Sequence, residues 1–108
     1  MNKVIISFLT TFLTFSLISQ ATADDVKIGV ILGFTGPIES LTPTMASSAE
    51  LAMKEVSDSG LLLDGANVSS VRADSTCVDA GAAVSAAERL VTSDNVAAIM
   101  GADCSGVT

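Results

Sequence analysis

The chain reads as an α/β fold built on a parallel three-stranded sheet, in the order β-α-β-α-β. Three features predict it. Three short apolar runs read as strands, two longer stretches between them carry apolar residues at helical spacing, and turn residues punctuate every junction. Strands separated by helices of this length imply right-handed crossovers and a parallel sheet. The expected strand order is 2-1-3, with the switch point between the first and third strands. Ligands in such open sheets bind outside the carboxyl ends of the strands at that switch, here Gly33–Pro37 and Asp103–Thr108.

The first element is Val26 to Leu32, a β-branched run without clean alternation that fits a strand buried on both faces. Gly33-Phe34-Thr35-Gly36-Pro37 leaves it as a loop, by its Gly and Pro punctuation. Thr42-Pro43 or Thr44 then offers a helix start, with Pro allowed in the first turn. Ala49, Met53 and Val56 recur at helical spacing and Gly60 suits the position just past the helix end, so this helix should span about Thr44 to Ser59. A turn at Asp64-Gly65 precedes Asn67 to Ala73, an alternating run read as a shorter and more exposed second strand. Asp79 is a good N-cap for the second helix. Its apolar stripe is Ala80, Ala83, Val84, Ala87, Leu90 and Val91, and Ser93-Asp94-Asn95 ends it. Val96 to Met100 is the third apolar strand, closing at Gly101.

Ahead of this pattern lies a targeting segment. Lys3 is a positive n-region, Val4 to Ile18 an apolar h-region, and Ala21-Thr22-Ala23 a small-x-small cleavage site, which together read residues 1–23 as a secretory signal peptide. The apolar stretch is shorter than the roughly 20 residues of a spanning helix. Residues 24–108 then form the mature part and can make only a small core. Gly106-Val107-Thr108 reads as the first turn of something that continues, so an incomplete domain is expected.

Composition excludes several functions. The mature part carries Lys27, Lys54, Arg72 and Arg89 against 12 acidic residues, a poor partner for nucleic acid or anionic lipid. Without His, the chain cannot build a histidine-based triad or an imidazole zinc site. Gly33–Pro37 lacks the Lys-Ser/Thr of a phosphate loop and the third Gly of a dinucleotide fingerprint. No cofactor and no metal are expected. Asp24-Asp25 and the other scattered acids read as solvated surface, with no pair placed for acid–base work.

Cys77 and Cys104 are the only cysteines, and no Cys-x-x-Cys is present. In an exported chain they favour a structural disulfide over a metal site or redox pair. Both fall just past strand ends, on the same edge of the sheet. The bridge would close a loop of roughly 28 residues, worth about 3 to 4 kcal/mol. It either fixes the loop carrying Ser105 or serves stability alone. Ser105-Gly106-Val107-Thr108 follows the third strand and should open a helix, whose unpaired N–H groups suit a carboxylate or other anion. An ordinary N-cap serine is the alternative. Phe34 is a candidate pocket wall or a core residue.

Val26–Pro37, the Ala/Met-rich first helix, Asp74-Ser75-Thr76-Cys77, Ala87-Glu88-Arg89-Leu90 and Ile99-Met100-Gly101-Ala102-Asp103-Cys104-Ser105 together resemble the amino-terminal part of the periplasmic leucine/isoleucine/valine-binding protein family. These are substrate-binding components of ABC importers. The resemblance implies two α/β lobes joined by a hinge, of which residues 24–108 supply the first three strands of lobe one. It implies that Ser105 binds the α-carboxylate of the ligand and that Cys77 pairs with Cys104. Gly106 stands where some members carry another hydroxyl, and Leu41 where members carry a pocket aromatic; both departures bear on specificity. The candidate ligand-binding residues are therefore Ser105, Gly106, Thr108, Phe34 and Leu41. The implied partners are a small-molecule ligand, an amino acid or similar, and a membrane permease, with a periplasmic location. Two other roles stay open: a ligand-sensing domain of the same fold feeding a receptor or regulator, and an exported α/β enzyme whose catalytic residues lie elsewhere.

Overall fold

The computed structural model describes residues 23–108. The signal-peptide reading of residues 1–23 thus falls, all but Ala23, outside the described residues. The element order is β1 (Val26–Leu32), α1 (Thr42–Ser59), β2 (Val68–Asp74), α2 (Ala80–Thr92) and β3 (Ala98–Met100). The sheet runs β2-β1-β3, with both pairings parallel, the order expected. Seven residues of β1 pair with β2, Val26 with Val68 through Leu32 with Asp74. Only Ile28, Gly29 and Val30 pair with β3. No helix of the described residues is long and apolar enough to cross a membrane.

Two small cores sit on opposite faces of β1, because successive side chains of a strand alternate between faces. Val30 and Leu32 pack with Ala46 of α1, joined by the half-buried Phe34 and Met53. Ile31 packs with Ala73 of β2 and Leu90 of α2, joined by Val71, Ala86, Ala87 and Val96. Burial on both faces holds for Gly29–Leu32 only. Lys27 is exposed and Val26 and Ile28 are half-buried, because the flanking helices cover the sheet best towards its carboxyl end. Gly29 is where Leu90 comes closest, since a Cβ there would stand 2.9 Å from the Leu90 Cδ1.

The helices differ from expectation in detail. α1 begins at Thr42, two residues early, with Leu41 as an N-cap that offers no side-chain bond and Pro43 in the first turn. The Thr42 hydroxyl, fully buried, donates instead to the Gly33 carbonyl at 3.0 Å. Gly60 ends the helix at φ 65°, its N–H on the Ser57 carbonyl. Asp79 caps α2 as expected, accepting from Gly81 N–H and Ala82 N–H at 2.9 and 3.1 Å. The stripe of α2 is wider than the surface that covers it, and Val84 and Val91 stay more than half exposed.

The strands differ too. β2 is as long as β1 rather than shorter, though it is the more exposed. β3 spans three residues rather than five, all exposed. Ala97 N–H still reaches the Lys27 carbonyl at 2.8 Å, so the approach continues while the regular ladder does not.

Candidate functional site

The carboxyl ends of the three strands meet in one rim. β1 exits into Gly33–Pro37, β2 into Asp74–Val78 and β3 into Gly101–Thr108. A disulfide joins Cys77 to Cys104 with their Cα atoms 5.2 Å apart, an ordinary separation for such a bridge. It ties the exit of β2 to the exit of β3 across the end of β1.

Two carboxylates complete the rim. Asp103 accepts the Gly33 N–H on both oxygens, at 3.1 and 3.2 Å. Asp74 accepts the Thr35 hydroxyl at 2.6 Å, the Thr35 N–H at 3.2 Å and the Thr76 N–H at 2.8 Å. Burial pushes the Asp74 carboxyl upward, but the Thr35 hydroxyl and the N–H groups of Thr76, Thr35 and Phe34 outweigh it and hold it below the usual carboxylate range. The exit of the central strand is thus held by a carboxylate from each neighbouring strand. These two acids correct the reading of every scattered acid as solvated surface. Glu50 keeps to the solvated surface, where it receives both Arg72 contacts at 2.7 Å and the Ser70 hydroxyl at 2.8 Å.

Two glycines let the rim close. At Gly36, φ is +98° and an added Cβ would overlap the Thr76 carbonyl oxygen. At Gly101, φ is +118° and the clash would be with the Ile31 carbonyl oxygen. Both conformations are costly for any residue with a Cβ.

Of the predicted ligand-binding residues, Ser105 and Gly106 are exposed on this rim, directly after the bridged Cys104. Neither hydrogen-bonds another of the described residues. Within the segment Val107 N–H closes onto the Cys104 carbonyl at 3.0 Å, an i to i+3 turn. Thr108 spends its hydroxyl on the same carbonyl, at 2.9 Å. It also lines a cavity of about 280 Å³ with Ile31, Ala83, Ala87, Ile99 and Val107. Phe34 is half-buried against the α1-side core, with the Arg72 guanidinium 5.6 Å from its ring centroid. Leu41 is 59% exposed at the start of α1. Neither Phe34 nor Leu41 lines that cavity.

Sequence reasoning placed Thr42 at a helix start and Asp103 at the ligand-binding strand end, but did not read the bonds that Thr42, Asp74 and Asp103 make at the rim. For Asp74 a signal existed, since Asp-Ser-Thr at a strand exit is turn chemistry that satisfies an N–H two residues on. For Asp103 the partner is set by strand register alone.

The rim lies at a β1/β3 switch point, the place where open α/β sheets take their ligands. The family described as periplasmic binding protein matches residues 25–108, and the chain belongs to it. Among relatives, Leu/Ile/Val-binding protein homolog 7 of Brucella abortus (strain 2308) is 35% identical over 82 residues, covering 76% of this chain and 20% of the relative. The protein of the same name from Brucella suis biovar 1 also matches at 35% over 82 residues. A crystal structure of a putative branched-chain amino acid ABC transporter from Silicibacter pomeroyi superposes with a TM-score of 0.65 at 26% identity, over 70% of this chain and 19% of that one. The chain spans about a fifth of the length of the relatives it matches.

Proposed function

We propose that this chain supplies the amino-terminal part of lobe one of a periplasmic solute-binding component of an ABC importer. Residues 1–23 serve as its export signal. Its ligand is an amino acid of the branched-chain kind or a related small polar molecule. The observation that carries this reading is the Ser105-Gly106 turn. It lies at the carboxyl rim, its N–H groups and hydroxyl are uncommitted among the described residues, and the disulfide holds the residue just before it.

The mechanism is capture. Free N–H groups and a hydroxyl on a braced turn can take a carboxylate without first giving up other bonds, so little reorganisation is spent on binding. A second lobe then closes over the ligand, a population shift driven by contacts to both lobes. The closed form is what a membrane permease receives. Leu41 and Gly106, at positions where the family resemblance places an aromatic and a hydroxyl, leave fewer side-chain contacts to read the ligand.

Titration calorimetry of the full-length exported protein against a panel of amino acids tests this. Binding to at least one is expected, with Ser105→Ala weakening it by about 1 to 3 kcal/mol. No heat with any amino acid or small amide, together with turnover of a substrate, would establish the enzyme instead. A transmembrane helix and signalling domain in the same polypeptide would favour the sensor.

A further inference from the structure

We infer that Asp103 is a positioning residue for the Ser105 turn, holding it against the exit of β1 so that the Ser105 hydroxyl and adjoining N–H groups stand ready for a ligand carboxylate. The inference rests on binding at Ser105 as proposed above.

Cys104 is bonded to Cys77, beyond the end of β2. Besides the main chain from β3, the bridge gives the turn one tie, to the exit of β2. Asp103, one residue earlier, is attached elsewhere: both of its carboxylate oxygens take the Gly33 N–H, beyond the end of β1. Consecutive residues are thus held to two different strand exits. Ser105 is the next residue along, and the first free of either attachment.

The anchor itself is fixed. Gly33 is buried, and its carbonyl accepts the buried Thr42 hydroxyl at 3.0 Å. A Cβ on Gly33 would stand 3.0 Å from the Cys77 Cβ, so the bridge and the Asp103 anchor press on the same backbone. A hydrogen bond to an ionised group is stronger than one to a neutral acceptor. The carboxylate therefore holds the Gly33 N–H more firmly than a neutral side chain at position 103 would. Ligand contact is not required of Asp103; its effect passes through the Ser105 turn.

The test combines amide hydrogen exchange with calorimetry of the full-length exported protein, using L-leucine as the probe. With Asp103→Ala, exchange in residues 101–108 and 33–37 should rise about tenfold, the weight of one charge-assisted hydrogen bond. Exchange in the interior of α2 should stay unchanged. L-leucine affinity should fall about tenfold, and Asp103→Asn, which keeps an oxygen acceptor but not the charge, should recover part of it. In a Ser105→Ala background, Asp103→Ala should cost about threefold or less, because little remains to position. A uniform rise in exchange along the chain, or the same affinity loss with and without the Ser105 hydroxyl, makes Asp103 a plain stability contact and overturns the inference. A Ser105-dependent affinity that ignores Asp103 overturns the inference alone. Where L-leucine does not bind, the amino acid of the calorimetry panel that does takes its place as the probe; a protein that binds none of them, or binds its probe equally after Ser105→Ala, overturns the site reading and this inference with it.

Discussion

At the amino end of the sheet, neighbouring segments are joined by backbone hydrogen bonds, Val26 N–H to the Asn67 carbonyl at 2.7 Å and Ala97 N–H to the Lys27 carbonyl at 2.8 Å. The side chains that add to them, Asn67 on Asp25 and Lys27 on the Asp94 carbonyl, are exposed. At the carboxyl end the same strands are joined by a disulfide, by the half-buried Asp103–Gly33 contact and by the exposed Asp74–Thr35 contact, and the buried Thr42 hydroxyl ties α1 to the exit of β1. Exposed polar pairs contribute little in water, whereas covalent and shielded contacts resist exchange with solvent. The carboxyl end is the one built to keep its shape, and it is the end where a ligand is proposed to bind.

The largest test of this contrast is removal of the bridge. Cys77→Ser with Cys104→Ser should lower the unfolding free energy by about 3 to 4 kcal/mol for the 27-residue separation, read by chemical denaturation. A loss no greater than that of a surface substitution would erase the difference between the two ends. Gly36→Ala comes next. Its positive φ and the clash with the Thr76 carbonyl predict a loss of about 1 to 3 kcal/mol by the same measurement.

Midway along the sheet, Arg72 first and then the Ser70 hydroxyl hold Glu50 at about 2, below its ordinary 4.5. A depressed carboxyl contributes stability that is complete above pH 4.5 and lost as pH falls through about 2. The pair is solvent-exposed, so the contribution is below about 1 kcal/mol. Glu50→Gln should flatten the acid limb of a stability–pH curve by that amount and leave neutral binding intact. At the amino end, Asn67→Ala should change stability by no more than about 0.5 kcal/mol. A larger loss there than for Gly36→Ala would invert the comparison.

Local chemistry made much of the fold legible. β1, the Asp79 cap, the Gly60 helix end and the Asp64-Gly65 turn each depend on a few adjacent residues. The strand order followed from helix-length connections, and the placing of Cys77 and Cys104 on one edge followed from the order. The rim's remaining contacts were not legible, because each joins residues distant in the chain. Nothing near Asp103 in sequence points to Gly33, and nothing near Thr42 says that its hydroxyl will seek the Gly33 carbonyl rather than cap α1. Phe34 shows the same limit. It leaves the strand beside a prospective site, and it is half-buried, packed on the Val30, Leu32 and Ala46 core with the Arg72 guanidinium over its ring, a placement its sequence neighbours do not announce.

The central strand of the sheet is also the first to be synthesised. β1 emerges with both hydrogen-bonding edges open, and one of them stays open until Met100 arrives to pair with Val30. Until then its apolar Val30–Leu32 stretch has only half its final neighbours. An unpaired strand edge of that kind invites pairing with other chains. Cys77 likewise waits for Cys104, so oxidation in the native pairing can come only after the whole β-α-β-α-β segment is present. The sheet order that gathers the three exits into one rim thus leaves its central strand the longest time without its partners.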